Sequence, residues 1–293
     1  MLEGKKKSLK QNRKTTWITL ALICCLVLAA VGLYLNMKPQ QERVHVPDDH
    51  SSIVSVVEPE PEPDYGPENA AYYKKYFEDN RAINPDYIGT VFFDSNLINQ
   101  PVVQCLDNSY YLRRNWQTLE YDEAGANFMD YECRNDSQNI IIYGHYAYPS
   151  YDPSRKLRFT PLAQLLQPEN YEANKTVYLL LENEIREYVI CSVYYTDLIS
   201  SDGVYYTQYE EQYNLADFYE DYFSTYHDRV KSKQLYETGE DFSYADHLLT
   251  LQTCVENRPD QREIIVCRQV NIYPITDRCD FAMREMIDSE RAG

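Results

Sequence analysis

The run Leu248-Leu249-Thr250-Leu251-Gln252-Thr253-Cys254 is apolar and β-prone, and it ends on a cysteine. A second β-prone run, Ile264-Ile265-Val266-Cys267, follows shortly after Arg262. Far upstream, the run Ile140-Ile141-Ile142-Tyr143-Gly144 leads to His145. Two hydrophobic strands that end on a thiol and an imidazole are typical of a cysteine nucleophile with a basic partner. A nearby arginine adds a fixed fork of donors that can hold a carbonyl or stabilise an oxyanion.

Strand alternation indicates which histidine could serve Cys254. If residues 247–254 form one regular strand, Cys254 shares a face with Leu248, Thr250 and Gln252, and His247 points to the opposite face. The other three histidines lie in an N-terminal linker (His45, His50) and in a predicted surface helix (His227). His145, at the end of a strand, is therefore the predicted partner.

From about residue 87 onward, the chain consists mainly of short β-prone runs separated by turn-forming breaks. Such a pattern predicts a closed or nearly closed barrel of eight strands, and the fold class is mainly β. A helix is predicted near residues 67–80, a short one over 160–166, and a longer one from Leu215 to Val230. The predicted strands are Tyr87–Phe93, Ile98–Gln104, Asn127–Tyr131, Asn139–Tyr146, Thr176–Leu181, Glu187–Tyr195, His247–Thr253 and Glu263–Tyr273.

Charge and composition exclude some classes of function. The 293-residue chain has a net charge of −18, which argues against a nucleic-acid partner because phosphate binding needs a basic face. The sequence contains no CxxC pair and no histidine cluster with zinc spacing, so we expect no metal. Five cysteines (Cys105, Cys133, Cys191, Cys267, Cys279) are interpreted as small buried hydrophobes, although one or two disulfides among them remain open.

The N-terminus is expected to anchor the chain in a membrane. A basic tail over residues 1–14 precedes an apolar segment, 15–37, that meets the roughly 20 residues a bilayer-spanning helix needs. The positive-inside rule then predicts a cytoplasmic N-terminus and an extracellular remainder. The alternative is a cleaved signal peptide, for which Ala29-Ala30-Val31-Gly32 is a weak cleavage candidate. An acidic, proline-rich linker over 38–66 is expected to separate the span from a catalytic domain over 67–293.

Taken together, these residues resemble the sortases, the membrane-anchored cysteine transpeptidases of Gram-positive cell surfaces. Thr250-Leu251-Gln252-Thr253-Cys254 is similar to the family's TLxTC motif, Arg262 to its arginine, and Tyr143-Gly144-His145 to its histidine motif. Class B is the most similar class, because Asp107-Asn108-Ser109-Tyr110-Tyr111-Leu112 and Asn127-Phe128-Met129-Asp130-Tyr131 resemble its early strands. A helix between strands six and seven, here within 215–236, is also typical of that class. The resemblance covers roughly residues 67–275.

The resemblance implies a function and a set of partners. Cys254 would attack a threonine carbonyl in a C-terminal sorting motif of a secreted protein, His145 would protonate the leaving amine, and Arg262 would stabilise the oxyanion. The thioacyl enzyme would then react with an amine of a peptidoglycan precursor, with no cofactor. The substrate groove is expected to be lined by Leu251, Gln252, Thr253 and Tyr146, with the 215–236 helix beside it.

The chain departs from the family pattern at three places. Gln252 stands where class B chains often have serine, and Tyr146-Ala147 follows His145 where a polar residue and methionine are common. The loop 256–260 offers no clear acid to orient His145. A papain-like peptidase is a poor alternative, since its cysteine precedes its histidine and begins a helix. A binding-only or inactive relative remains the second alternative.

Overall fold

The structure, a computed structural model, describes residues 64–198, 215–256 and 258–286. The predicted basic tail, the predicted span over 15–37 and all but the last residues of the predicted linker lie outside this part of the chain. None of the helices in the described ranges is long and apolar enough to cross a membrane.

Eight strands form a closed barrel, as predicted, in the order β1-β2-β3-β4-β7-β8-β6-β5. The pairs β2·β3 and β4·β7 are parallel, and all the other neighbours are antiparallel. The strands are β1 (Tyr87–Phe93), β2 (Asn99–Val103), β3 (Asn127–Met129), β4 (Asn139–Tyr143), β5 (Thr176–Leu180), β6 (Glu184–Asp197), β7 (Leu248–Val255) and β8 (Arg258–Pro274).

Within the described ranges, three helices accompany the barrel: α1 (Gly66–Ile83), the single turn α2 (Tyr171–Asn174) and α3 (Glu220–Lys233). Helix α3 lies between β6 and β7, where the extra helix was predicted. The predicted helix over 160–166 is a 3₁₀ helix, Thr160–Leu166, and further 3₁₀ turns span Tyr110–Arg113 and Pro168–Asn170. Proline in the first turn of α1 fits the helix start, because that turn needs no backbone donor.

Alternation along the strands sends side chains to two different cores. Leu249 and Leu251 of β7 point into the barrel, where Ile265 and Cys267 of β8 join them. Leu248 points outward and packs with Ile264 and Val266 under the buried face of α3, which carries Phe223, Tyr226 and Val230. Both faces of these central strands are therefore buried, which explains why they read as continuous apolar runs.

A third hydrophobic cluster, called the end cluster below, joins the N-terminal helix to the C-terminal segment 275–286. Tyr73 of α1 donates its hydroxyl to the carbonyl of Ala282, and Asn69 donates to the carbonyl of Phe281 at 3.0 Å. The buried members are Ala70, Tyr73, Phe92, Tyr178, Leu180, Ile185, Ile275, Cys279, Phe281 and Met286.

The cysteines of the described residues are all free thiols. Four of them, Cys133, Cys191, Cys267 and Cys279, are buried, in agreement with their interpretation as small hydrophobes. Cys105 and Cys254 are half-buried. Of these two, only Cys254 lies on a barrel strand.

Candidate active site

Two parallel strands bring the predicted thiol and imidazole to the same end of the barrel. Tyr143 of β4 pairs with Gln252 of β7, and Gly144 extends the ladder by donating its N–H to the Gln252 carbonyl at 3.0 Å. Since the strands run in the same direction, His145 and Cys254 each follow this last pair by two residues. Their side chains open onto one cavity of about 230 Å³.

The guanidinium joins them from the other neighbour of β7. Arg262 lies directly opposite Cys254 in the β7·β8 ladder and opposite Thr196 in the β6·β8 ladder. Its Nη1 donates to the carbonyl of Gln261 at 2.8 Å, which steadies the fork. The cavity is lined by Asn108, Leu112, Phe128, Tyr143, Gly144, His145, Gln252, Thr253, Cys254 and Arg262.

Gly144 permits the approach of His145 to this cavity. A Cβ atom at this position would lie 2.4 Å from Oδ1 of Asn127 and 2.5 Å from a ring carbon of Phe159. Cβ atoms essentially never lie so close to non-bonded heavy atoms, so only glycine fits here without a shift of its neighbours. The residue before the candidate base is thus fixed by packing on both sides.

A backbone carbonyl orients the imidazole. Nε2 of His145 lies 2.6 Å from the carbonyl oxygen of Leu112, and because a carbonyl only accepts, Nε2 carries the proton. In the neutral ring Nδ1 is then the unprotonated nitrogen. Burial holds the pKa of His145 below its ordinary value. The bond to Leu112 acts against that effect, whereas the positive charges of Arg158 and Arg262 reinforce it.

Glu256, the first acid after Cys254 in the described ranges, pairs with an arginine and not with His145. Glu256 is turned toward Arg155, with two contacts of 3.3 Å between its carboxylate and the guanidinium. That guanidinium also lies over the ring of Tyr146, 4.7 Å from its centroid. The Leu112 carbonyl, and not an acid, is therefore the observed hydrogen-bond partner of the His145 ring.

A buried carboxylate organises the opposite wall of the cavity. Asp130 accepts a hydrogen bond from the Tyr143 hydroxyl and another from the Asn108 amide, both at 2.8 Å. The N–H of Tyr131 donates in turn to Oδ1 of Asn108 at 3.0 Å. Asp130 and the carbonyl of Leu112 were not among the residues predicted from sequence. Asp130 acts only through its hydrogen bonds to other lining residues, and every residue has a backbone oxygen, so neither contact produces a sequence pattern.

The predicted groove residues have mixed positions. Gln252 and Thr253 line the cavity. Leu251 does not, which corrects the expectation: it is fully buried in the barrel, on the face of β7 opposite to Cys254. Tyr146 is also buried beneath Arg155 and is not a lining residue. Helix α3 contributes no described residue to the lining, since its apolar face is used against the barrel wall.

Comparisons with known proteins identify this combination of fold and cavity. No model of a known sequence family matches the chain. Sortase B of Staphylococcus aureus is 24% identical over 206 residues, which are 69% of this chain and 77% of that protein. Sortase B of Listeria monocytogenes is 28% identical over 186 residues, 60% of this chain and 65% of that protein, just under two thirds of its length.

A solved structure agrees with these relatives. A cysteine-to-serine mutant of sortase B from Clostridium perfringens superposes with a TM-score of 0.61 at 26% identity, over 70% of this chain and 91% of that one. Barrel, cavity and relatives together define a cysteine transpeptidase of the sortase type. Both relatives and this solved structure are class B sortases, and the matches support a class B sortase for this chain.

Proposed function

We propose that this sortase cleaves a C-terminal sorting motif of secreted proteins at a threonine carbonyl and transfers the protein to a peptidoglycan amine through a thioacyl intermediate. The observation that carries the proposal is the meeting of Cys254, His145 and Arg262 in one cavity at the end of neighbouring strands.

In the first half-reaction, Sγ of Cys254 attacks the threonine carbonyl. The thiol proton passes to Nδ1 of the neutral His145, and Arg262 donates to the oxyanion that forms. When the C–N bond breaks, the imidazolium returns this proton to the leaving amine. The products are a thioester on Cys254 and the released C-terminal fragment.

The second half-reaction reverses these roles. An acceptor amine attacks the thioester and gives its proton to His145, and collapse of the tetrahedral intermediate expels the Cys254 thiolate. The imidazolium then reprotonates this thiolate, which restores the resting site. Since the two displacements share one covalent intermediate, ping-pong kinetics are expected.

The test combines the full chain with a library of threonine-containing sorting peptides and an amine acceptor. Wild type should form a mass-detectable acyl adduct on Cys254 and then a transpeptidation product. Cys254→Ala should abolish both, because no other described cysteine reaches the cavity. Cys105→Ala removes the other half-buried thiol and should leave both unchanged.

The same experiment distinguishes an active transpeptidase from a relative that only binds peptides. Peptide binding without any adduct on wild type would favour a non-catalytic relative. Turnover by Cys254→Ala at the wild-type rate would remove Cys254 from the mechanism.

A further inference from the structure

The imidazole of His145 depends on a loop that has to be held in place. Its orienting partner, the Leu112 carbonyl, lies at the end of the 3₁₀ turn Tyr110–Arg113, followed by an irregular segment that runs to β3. A loop carbonyl would hold an imidazole poorly if the loop could move. The structure shows three contacts that restrain this one.

The first restraint is close packing of Gly125 on the carbonyl itself. Gly125 has a φ of 57°, and a Cβ atom there would lie 2.4 Å from the Leu112 oxygen and 2.6 Å from that of Tyr111. The N–H of the next residue, Ala126, donates to the Tyr111 carbonyl at 3.0 Å. The returning segment thus lies directly against the backbone carbonyl that accepts the hydrogen bond of His145.

The second and third restraints come from one buried arginine. Nε of Arg158 donates to the carbonyl of Gly125, and Nη2 contacts the Asp122 carboxylate at 2.9 Å. The Arg158 side chain is 2% exposed and that of Asp122 is 13% exposed. A desolvated charge needs its counter-charge and its hydrogen bonds, so this guanidinium fixes both ends of the segment 122–125.

Arg158 is itself tied to the histidine through the chain. The N–H of its neighbour Phe159 donates to the His145 carbonyl at 3.1 Å. A continuous series of contacts therefore links the imidazole to Leu112, Gly125 and Arg158 and returns to the backbone of His145. Arg158 has a φ of 49°, a conformation that non-glycine residues seldom adopt unless their surroundings fix it.

We propose that Arg158 and Asp122 are positioning residues, whose buried ion pair holds the Leu112 carbonyl on Nε2 of His145 and so fixes the tautomer and orientation of the ring. The inference rests on the proposed role of His145 as the base. With Nε2 committed to Leu112, Nδ1 faces the reaction as an acceptor. Without the pair, the loop carbonyl moves and the two tautomers mix.

The test measures the tautomer directly, separately from activity. Full-length protein in detergent is labelled with ¹⁵N-histidine, and the His145 signals are assigned by their loss in His145→Gln. Wild type should show a protonated Nε2 and an unprotonated Nδ1. Arg158→Met should shift both nitrogens toward averaged values and lower kcat about 10- to 100-fold, with KM changed less than about threefold. Arg158→Lys should recover part of the loss.

The control is Arg268→Met. Arg268 has the same pair of contacts, Nε to a backbone carbonyl (Asp241) and Nη2 to a carboxylate (Glu240) at 2.8 Å, but it lies outside the cavity. This variant should lose stability without changing the His145 signals or kcat. If Arg158→Met does not fold, Asp122→Asn, which keeps the side-chain shape, is used for the same measurements.

The outcomes are distinct. A wild-type His145 protonated on Nδ1, or unchanged signals and kcat in folded Arg158→Met or Asp122→Asn, would overturn the positioning role. Wild-type protein without transpeptidation but with the Nε2–H tautomer lost in the variant would instead refute the proposed function and leave the positioning role intact.

Discussion

At the scale of single residues, a backbone carbonyl determines which nitrogen of His145 carries the proton. Burial keeps the pKa of His145 below its ordinary value, which favours the neutral ring at pH 7, and the Nε2–H of that ring donates to the Leu112 carbonyl. A neutral imidazole can take a proton from a thiol, whereas an imidazolium can only give one. The proposed mechanism, which begins when the Cys254 thiol gives its proton to His145, requires this neutral form.

A second buried group lies one residue from the site. Glu263, next to Arg262, points into the barrel opposite Thr253 and is 1% exposed. Burial raises its pKa from the ordinary 4.5 to about 8. The folded protein therefore keeps a proton that the unfolded chain releases above about pH 4.5, and stability falls as pH rises between these two values.

We predict that Glu263→Gln removes this dependence. The amide cannot ionise, so the variant should melt at least about 4 °C above wild type at pH 8.5 and close to it at pH 4.5, as measured by calorimetry. The control Glu169→Gln changes an exposed glutamate and should have no such effect. Equal melting shifts at both pH values would contradict a titrating Glu263.

The three residues of the candidate site could be predicted from sequence, but the contacts that support them could not. Cys254, His145 and Arg262 stand at the ends of recognisable strands, and the strands bring them to one cavity. Leu112 contributes a carbonyl that any residue possesses, so nothing in its side chain reveals the contact. Leu251 was misplaced because nearness in sequence to Cys254 outweighed the alternation that turns it into the core.

At the scale of elements, hydrophobic patterns predicted which strands exist better than where they end. Strands β6 and β8 run over Glu184–Asp197 and Arg258–Pro274, longer than the predicted Glu187–Tyr195 and Glu263–Tyr273. Their polar ends pair through backbone hydrogen bonds across a continuous antiparallel ladder, which side-chain patterns do not report.

For the long helix, the prediction began too early rather than too late. It was predicted from Leu215, but α3 begins at Glu220. The carbonyls of Leu215 and Ala216 accept hydrogen bonds from the side chain and the backbone of Asn139 instead. A tertiary contact therefore takes the groups that a first helical turn would have used, and the local apolar spacing could not foresee it.

The end of β4 provides the element-scale prediction. Gly144→Ala places a methyl group against Asn127 and Phe159, so the strand end must shift and carry His145 with it. We expect kcat to fall at least about 100-fold, because small misplacements of a catalytic base are costly. Thermal unfolding should show a loss of about 1–3 kcal/mol from overpacking.

Gly239→Ala is the matched control for this variant. The added methyl group meets no atom within 4 Å, although the φ of 78° disfavours alanine. It should lose about 1 kcal/mol and keep its activity. Full activity in Gly144→Ala would show that the strand end does not set the position of His145.

At the scale of the whole molecule, stability and chemistry are separated in space. No described member of the end cluster lines the cavity, yet this cluster ties α1 to the C-terminal segment across β1, β5 and β6. Phe281 is 5% exposed and contacts Tyr73, Phe92, Tyr178 and Tyr273 through its ring. Such a ring should contribute to folding without touching the reaction.

We therefore predict that Phe281→Ala destabilises the protein by about 3–5 kcal/mol and lowers Tm by about 6–15 °C, while kcat well below the melting temperature stays within about twofold of wild type. Met283→Ala, from the same segment but 49% exposed, should change Tm by less than about 2 °C. Calorimetry and peptide turnover on the same preparations measure both effects.

A large loss of kcat in folded Phe281→Ala would mean that the end cluster acts on the cavity, since strain from the vacated space would have to cross the barrel through β1 or β6. An unchanged Tm would mean that the C-terminal segment is not part of the cooperative fold.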